Sequence, residues 1–320
     1  LPNCNGTNPN AVALTQTGTV ATHFLSAFGR TSFTLTSTAT AAKAGGTATP
    51  LNVMFILDST GSMSNADTGC TVPGVSNPTQ YQCATYSIQG ILKVMSPSLA
   101  KAALMTFPGW SSQYNPSHPC TTQPNSTHYL SSPIYYQIGT TFDTTYNNGS
   151  GTLADTSPIV EAVGDVGTSL AGCLSNKGGQ GTYLAEVITK AQAAMPVVTG
   201  TKNVIILLSD GDANASLSQL NNQSSKTTAQ CGQYVTAAQA ATTAGTTVYS
   251  VAYGAPTSGC SSGDTYNPCS AMKAVASDSS KFFSSNNTCQ ASGSANNASQ
   301  LPSIFTQIAV NLTKPRLLAH

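Results

Sequence analysis

Charge is scarce in this chain, and that scarcity sets the first limits. Only 7% of the 320 residues are Asp, Glu, Lys or Arg, and 12 basic against 11 acidic side chains leave a net charge of +1. No basic run is long enough to follow a phosphate backbone, so nucleic acid is not an expected partner. No apolar stretch approaches the roughly 20 residues that a membrane-spanning helix requires, and no basic segment followed by an apolar core opens the sequence. The expectation is a chain without a membrane span, from which any signal or anchor has been removed. Cysteine pairs of the C-x-x-C kind are missing too, which leaves zinc ligation by thiolates poorly supported. The histidines, His23, His118, His128 and His320, stand apart with no H-x-H or H-E-x-x-H spacing, so histidine-based catalysis is not expected.

In place of charge the chain carries Ser, Thr, Asn and Gly, a composition common in exported, surface-exposed proteins. Its 9 cysteines lie mostly in Gly/Ser/Pro-rich loops and read as disulfides formed in an oxidising compartment. Neighbours in sequence suggest Cys70 with Cys83 and Cys260 with Cys269. The odd count leaves one thiol over, and Cys4 is the candidate for a free or intermolecular cysteine.

Residues 1–48 read as an N-terminal extension, with a short helical candidate at "TVATHFLSAFG" and one strand at "SFTLTSTATA". Nothing else in that segment reads as a partner for the strand. After the linker "KAGGTATP", residues 49–320 alternate strands with helices. Strands are expected at 52–57, "AKAALMTF", "NVIILL", "TTVYSVAYG" and "KFFSS". Helices are expected at about 81–96, with Ile88, Ile91, Leu92 and Met95 on one face, and at "TYLAEVITKAQAAM", with Leu184, Val187, Ile188 and Ala191. Three more follow: "AQCGQYVTAAQAATTAG" closing at Gly245, one near 269–277, and one at about 299–312 capped by Ser299. Pro108 to Gly179 is poor in apolar residues and reads as a surface insertion interrupted by a strand-like "IYYQIGTTF". The fold class expected is α/β, one domain built on a doubly wound, mostly parallel sheet.

The stretch "MFILDSTGSMS" concentrates the chemistry. Val53 to Leu57 is apolar without interruption, as in a strand buried on both faces, and it delivers Asp58 to the carboxyl end of the sheet, where ligands bind in open α/β folds. Asp58, Thr60 and Ser62 follow at alternate positions of a tight loop, so three oxygens can converge on one point. Asp210 ends the second buried strand, and Thr182 stands in "GGQGT" at the start of a helix. Hard divalent cations, Mg²⁺ above all, take such oxygen ligands and keep positions open for water or a carboxylate. Ca²⁺ and Mn²⁺ are the alternatives. Asp67 reads as a solvated loop acid, with a second cation as its alternative.

"FILDSTGSMS", "GGQGTYLAEVI" and "VIILLSDGDAN", in that order, resemble the three metal-contacting loops of von Willebrand factor A domains, which form a metal-ion-dependent adhesion site. The resemblance covers about residues 50–313. It implies a Rossmann-like fold, direct ligation by Thr60 and Ser62, direct or water-mediated ligation by Thr182, and action of Asp58 and Asp210 mainly through waters. Thr60 replaces the Ser that this pattern most often carries and keeps the hydroxyl. Together with "SPIVEAVG" and the Thr/Ser/Ala strand before the domain, these segments are similar to TadG-like proteins of bacterial Tad (Flp) pilus systems, whose A domain lies outside the inner membrane behind a membrane-anchoring helix.

The function this implies is a metal-dependent adhesion or scaffolding module, extracellular or on a bacterial cell surface, whose Mg²⁺ accepts an Asp or Glu of a partner protein. The alternative is a self-polymerising subunit of an extracellular filament, with other copies of itself as partner and the metal structural. An enzyme is not expected, because the matched loops offer no His, Lys or Glu as a general base beside the metal.

Overall fold

The computed structural model describes residues 11–21, 32–43, 49–107, 136–174, 182–213, 230–260, 263–285, 289, 301–312 and 315–317. Residues 1–49 with 310–320 form one compact unit, and residues 50–309 form the other. In the first unit, β1 (Ala11–Ala21) pairs antiparallel with β2 (Ser32–Lys43) along its whole length, from Ala11 opposite Ala42 to Ala21 opposite Ser32. β9 (Pro315–Leu317) adds to the far side of β2 at Ala41–Lys43. Two strands, not one, therefore lie within residues 1–48, and β1 is the partner that the sequence did not disclose. Its alternation is broken by Gln16 and Gly18, and no two-residue turn joins it to β2, so the usual hairpin signals are missing. The helix expected at "TVATHFLSAFG" is corrected in part: Thr19 to Ala21 end β1, and the remainder lies outside the described residues.

The second unit is built on a sheet of order β5-β4-β3-β6-β7-β8. Its strands are β3 (Leu51–Asp58), β4 (Ala100–Phe107), β5 (Tyr136–Asp143), β6 (Lys202–Ser209), β7 (Thr247–Ala252) and β8 (Phe282–Ser284). All run parallel except β5, which is antiparallel to β4 at one edge. Met54, Ile56, Ile205 and Leu207 belong to a core shared with helices α3 (Ala185–Ala194), α4 (Gln230–Thr243) and α5 (Pro268–Val275). The alternate residues Val53, Phe55, Leu57, Val204, Ile206 and Leu208 are equally buried. Burial on both faces explains why these strands are apolar without alternation.

Local chemistry sets the helix ends. Thr79 caps α1 (Gln80–Val94): its Oγ1 accepts from Gln82 N at 3.2 Å while Gln82 Oε1 accepts from Thr79 N at 2.9 Å. Ile88, Ile91 and Leu92 of α1 are buried, as are Leu184, Val187, Ile188 and Ala191 around α3. Gly245 follows α4 with φ +89°, the left-handed conformation that closes a helix most cheaply without a Cβ. α6 (Leu301–Leu312) buries Ile304, Phe305 and Ile308. Its proposed cap, Ser299, lies outside the described residues.

The surface-insertion reading is corrected for residues 136–174. β5 extends the main sheet, and α2 (Pro158–Val163) buries Ile159, Val160 and Ala162. Between them Tyr146, fully buried, donates to Ala100 O at 2.7 Å, and Asn147 Nδ2 donates to Leu92 O at 2.5 Å and Met95 O at 2.8 Å. The segment joins the core through the buried side chains of α2, Tyr146 and Leu153 and through polar groups that satisfy buried carbonyls, so its low apolar content was misleading. Residues 108–135 lie outside the described residues.

Disulfides join Cys70 to Cys83, Cys231 to Cys260, and Cys269 to Cys289, and Cys173 is disulfide-bonded as well. The first matches the expected pair. The Cys260–Cys269 pairing is wrong: Cys260 is tied to the first turn of α4 and Cys269 to the segment after β8. Adjacency in sequence did not decide it, because the two cysteines lie at either end of a loop whose flanks face different neighbours. Cys4 lies outside the described residues.

Candidate functional site

β3 and β6 are neighbours at the centre of the sheet, in register with Leu57 beside Leu208. Asp58 and Ser209 thus emerge side by side at their carboxyl ends, with Asp210 next. The loop after β3 is fastened to β4, where Ser59 N and Ser59 Oγ both donate to Phe107 O, at 2.8 and 2.6 Å. Thr60 is extended (φ −67°, ψ 168°), and Gly61–Ser64 then form a single 3-10 turn that buries Met63. This path turns the Asp58, Thr60 and Ser62 side chains toward a common point.

Asp58 is fully buried. Its Oδ1 accepts from Thr60 N at 2.8 Å and from Thr60 Oγ1 at 2.6 Å, and its Oδ2 accepts from Ser209 Oγ at 2.6 Å. Thr60 Oγ1 lies 3.2 Å from Ser62 Oγ, and the Ser62 side chain is hydrogen-bonded to Asp210. Asp210 Oδ1 accepts from Asp212 N at 3.2 Å. The proton on Thr60 Oγ1 is directed to the Asp58 carboxylate, which turns the lone pairs of that oxygen away from Asp58. Ser62, bonded to Asp210, is placed to do the same.

Burial first, and then the charge of Asp210, push the Asp58 carboxyl up to about 7, against the hydrogen bonds from Ser209 and Thr60 that favour its ionised form. Burial raises Asp210 as well, with the Asp212 charge adding to it and the Ser62 and Asp212 hydrogen bonds opposing. Among the described residues no salt bridge reaches either carboxylate. Two acids held together with hydroxyls around them, and with no salt bridge to either among the described residues, fit a hard divalent ion, which would favour ionisation of both.

Of the five expected ligands, Asp58, Thr60, Ser62 and Asp210 form one hydrogen-bonded cluster. Thr182 is buried in the segment leading into α3. Ser209 was not singled out from the sequence, although it bonds Asp58 and accepts from Gly211 N at 3.0 Å. Only the β3–β6 register could have revealed it. Tyr81 was missed as well: its buried hydroxyl has no hydrogen-bond partner among the described residues, and burial and the Asp58 charge both raise its pKa. Asp67, Cys70 and Cys83 lie together, but the two sulfurs are bonded to each other and offer no thiolate. Asp67 itself is partly exposed, as a solvated loop acid would be, and it also accepts from the Tyr253 hydroxyl and from Gly69 N.

No protein-family model matches the chain, and no curated protein matches its sequence. Solved structures do. The pilus adhesin SpaC from Lactobacillus rhamnosus GG is similar in its open conformation, with a TM-score of 0.53 and 12% identity over 96% of this chain. A second SpaC structure gives a TM-score of 0.55 and 12% identity over 95%. The chain spans 34% of SpaC's length. BatB from Bacteroides thetaiotaomicron aligns over 81% of this chain and 95% of its own, with 16% identity and a TM-score of 0.46. At such identities the likeness concerns architecture alone. Taken with the strand order, the likeness to SpaC makes the unit of residues 50–309 a doubly wound, mostly parallel α/β domain.

Proposed function

We propose that this chain is an extracellular adhesion or scaffolding module of a pilus or cell-surface assembly, and that Asp58, Thr60, Ser62, Thr182 and Asp210 hold Mg²⁺, with Ca²⁺ or Mn²⁺ as alternatives. The observation that carries this reading is the Asp58–Asp210 pair, buried or nearly so, dressed by hydroxyl donors, and without a cationic side chain among the described residues. When bound, the ion supplies an electrophilic position that accepts an Asp or Glu carboxylate from a partner protein. The chain's own part is to hold the hydroxyls of Thr60 and Ser62 with their protons turned to the carboxylates, and to keep Asp58 oriented through Ser209.

The groups that meet here are ligands and hydrogen-bond donors, which supports binding rather than turnover. Disulfides at Cys70–Cys83, Cys231–Cys260 and Cys269–Cys289 support an oxidising, extracellular location. Membership of a bacterial Tad pilus system rests on the sequence resemblance to TadG-like proteins.

Thermal unfolding across a Mg²⁺ titration tests the metal reading. Binding to the folded state alone stabilises by RT ln(1 + [L]/Kd), about 2.7 kcal/mol at a hundredfold excess over Kd. Melting should rise with Mg²⁺ in the wild-type chain, and Asp210→Ala should flatten the response. A wild-type chain indifferent to Mg²⁺, Ca²⁺ and Mn²⁺ would sink the assignment.

A further inference from the structure

The β1–β2 ribbon leaves two lengths of backbone edge without a partner among the described residues. β9 covers β2 only at Ala41–Lys43, so Ser32–Thr40 are paired on the β1 side alone. β1 is the outer strand of its sheet, and no described strand pairs with the far side of its 11 residues. Unpaired strand edges are templates for another strand, and proteins ordinarily guard them with charge, proline or a bulge. Here Ala11–Ala21 contain neither charge nor proline, Lys43 is the one charge in β2, and the register runs without a bulge.

The faces are as open as the edges. Every residue of Leu14–Val20 and Thr34–Ala39 is exposed. The register puts Leu14, Val20 and Leu35 on one face, exposed by 67%, 42% and 54%, and Thr15, Thr17, Thr36 and Thr38 on the other. Cross-strand contacts there are hydroxyl to hydroxyl, Thr15 to Thr38 at 3.1 Å and Thr17 to Thr36 at 3.5 Å.

We propose that β1 of one copy adds antiparallel to the open Ser32–Thr40 edge of β2 in the next copy, so that one sheet continues from molecule to molecule. A second copy is the favoured occupant for three reasons. Both open edges belong to the same chain and are of similar length. The pairing required, β1 against β2, is one that this sequence already makes within itself, with threonine opposite threonine and Leu35 opposite Gly18. The edges also carry no charge pattern by which a different protein could be selected, and little charge to keep copies apart. Joining two different edges is a heterologous contact that leaves a free edge at each end, so it produces open filaments rather than closed dimers. The proposal goes beyond the metal site and does not depend on it.

Light scattering and sedimentation of the full, oxidised chain across a concentration series test it, in Mg²⁺ and in EDTA, with electron microscopy of the largest species. The expected result is a mass that grows with concentration past the dimer, equally in both buffers. Leu14→Lys combined with Leu35→Lys should weaken association at least tenfold while leaving the melting temperature unchanged, since both side chains are exposed. Thr17→Pro, which removes a backbone N–H from β1, should do the same through the edge rather than the face. A monomer at every concentration, a plateau at the dimer as β1-to-β1 pairing would give, association abolished by EDTA, or unaltered assembly in both variants would each overturn the proposal. The EDTA arm separates its failure from failure of the metal reading.

Discussion

β3 and the β1–β2 ribbon are both extended chain with full cross-strand registers, yet they are held by different physics. In β3 every residue from Asn52 to Asp58 is buried, and both faces contribute apolar area. In the ribbon the residues from Leu14 to Val20 are all exposed, and what remains is backbone pairing and contacts between threonines. A register of hydrogen bonds therefore says little about stability by itself, because water competes for each bond in the ribbon and for none in the core. The largest effect expected from the contrast is in the core. Phe55→Ala, at a side chain only 1% exposed, should cost about 3–5 kcal/mol in urea unfolding, whereas Leu35→Ala should stay within about 0.5 kcal/mol. Equal costs at the two positions would mean that the ribbon is packed against a surface.

The buried strands carry a penalty that the ribbon escapes, since they end in a carboxylate removed from water. Asp58 titrates near 7 in the folded chain against 3.8 ordinarily, so between those values it is protonated when folded and ionised when unfolded. Unfolding then releases a proton, and metal-free stability should fall as pH rises through that window. Asp58→Asn should reduce the slope and leave the part that the raised Asp210 contributes. Saturating Mg²⁺ should flatten the wild-type slope, because the ion holds the carboxylate ionised in the folded chain as it already is in the unfolded one. A flat metal-free profile in the wild-type chain would show that Asp58 does not titrate there.

What could be read from the sequence divides along the same line. β3, β4 and β6 were legible because burial on both faces leaves an uninterrupted apolar run, and the Asp58, Thr60, Ser62 spacing was legible because alternate positions of a tight loop converge. β1 was not, since Gln16 and Gly18 break its alternation, which β2, equally exposed, keeps. Ser209 looked like any strand-end serine until the register with β3 set it beside Asp58. The role of residues 136–174 was hidden for a third reason: Tyr146 and Asn147 secure that segment by hydrogen bonds to carbonyls distant in sequence. The Cys260–Cys269 pairing failed for the same non-local cause, whereas Cys70–Cys83 held: the true partner of Cys260, Cys231, is 29 residues away.

That bridge gives the next test of where stability resides. Cys231→Ser with Cys260→Ser frees the N-terminal turn of α4, where Asp264 Oδ2 also accepts from Cys231 N at 2.8 Å and Gly232 N at 3.2 Å. The expected loss is about 2–4 kcal/mol in chemical denaturation. The double variant should still bind Mg²⁺, because the Asp58–Ser209 and Thr60–Ser62 contacts do not involve the bridge. Loss of the Mg²⁺ response in a folded variant would mean that the α4 end of the domain helps to hold the site.

The smallest effect is expected at Thr38. Its hydroxyl meets that of Thr15 at 3.1 Å on an exposed face, where water offers an equivalent bond. Cross-strand pairs of this kind contribute about 0.2–1 kcal/mol, and exposure puts this one at the low end. Thr38→Ala should therefore quicken hydrogen exchange at the β1 and β2 amides without moving the main unfolding transition. Thr38→Val separates the two sources of that small term, since it keeps the β-branch that suits a strand and drops the hydroxyl. If exchange in Thr38→Val matches wild type, the branch rather than the hydrogen bond steadies the ribbon. If Thr38→Ala instead lowers the main transition as far as loss of the Cys231–Cys260 bridge does, the ribbon is energetically part of the core, and the contrast with β3 collapses.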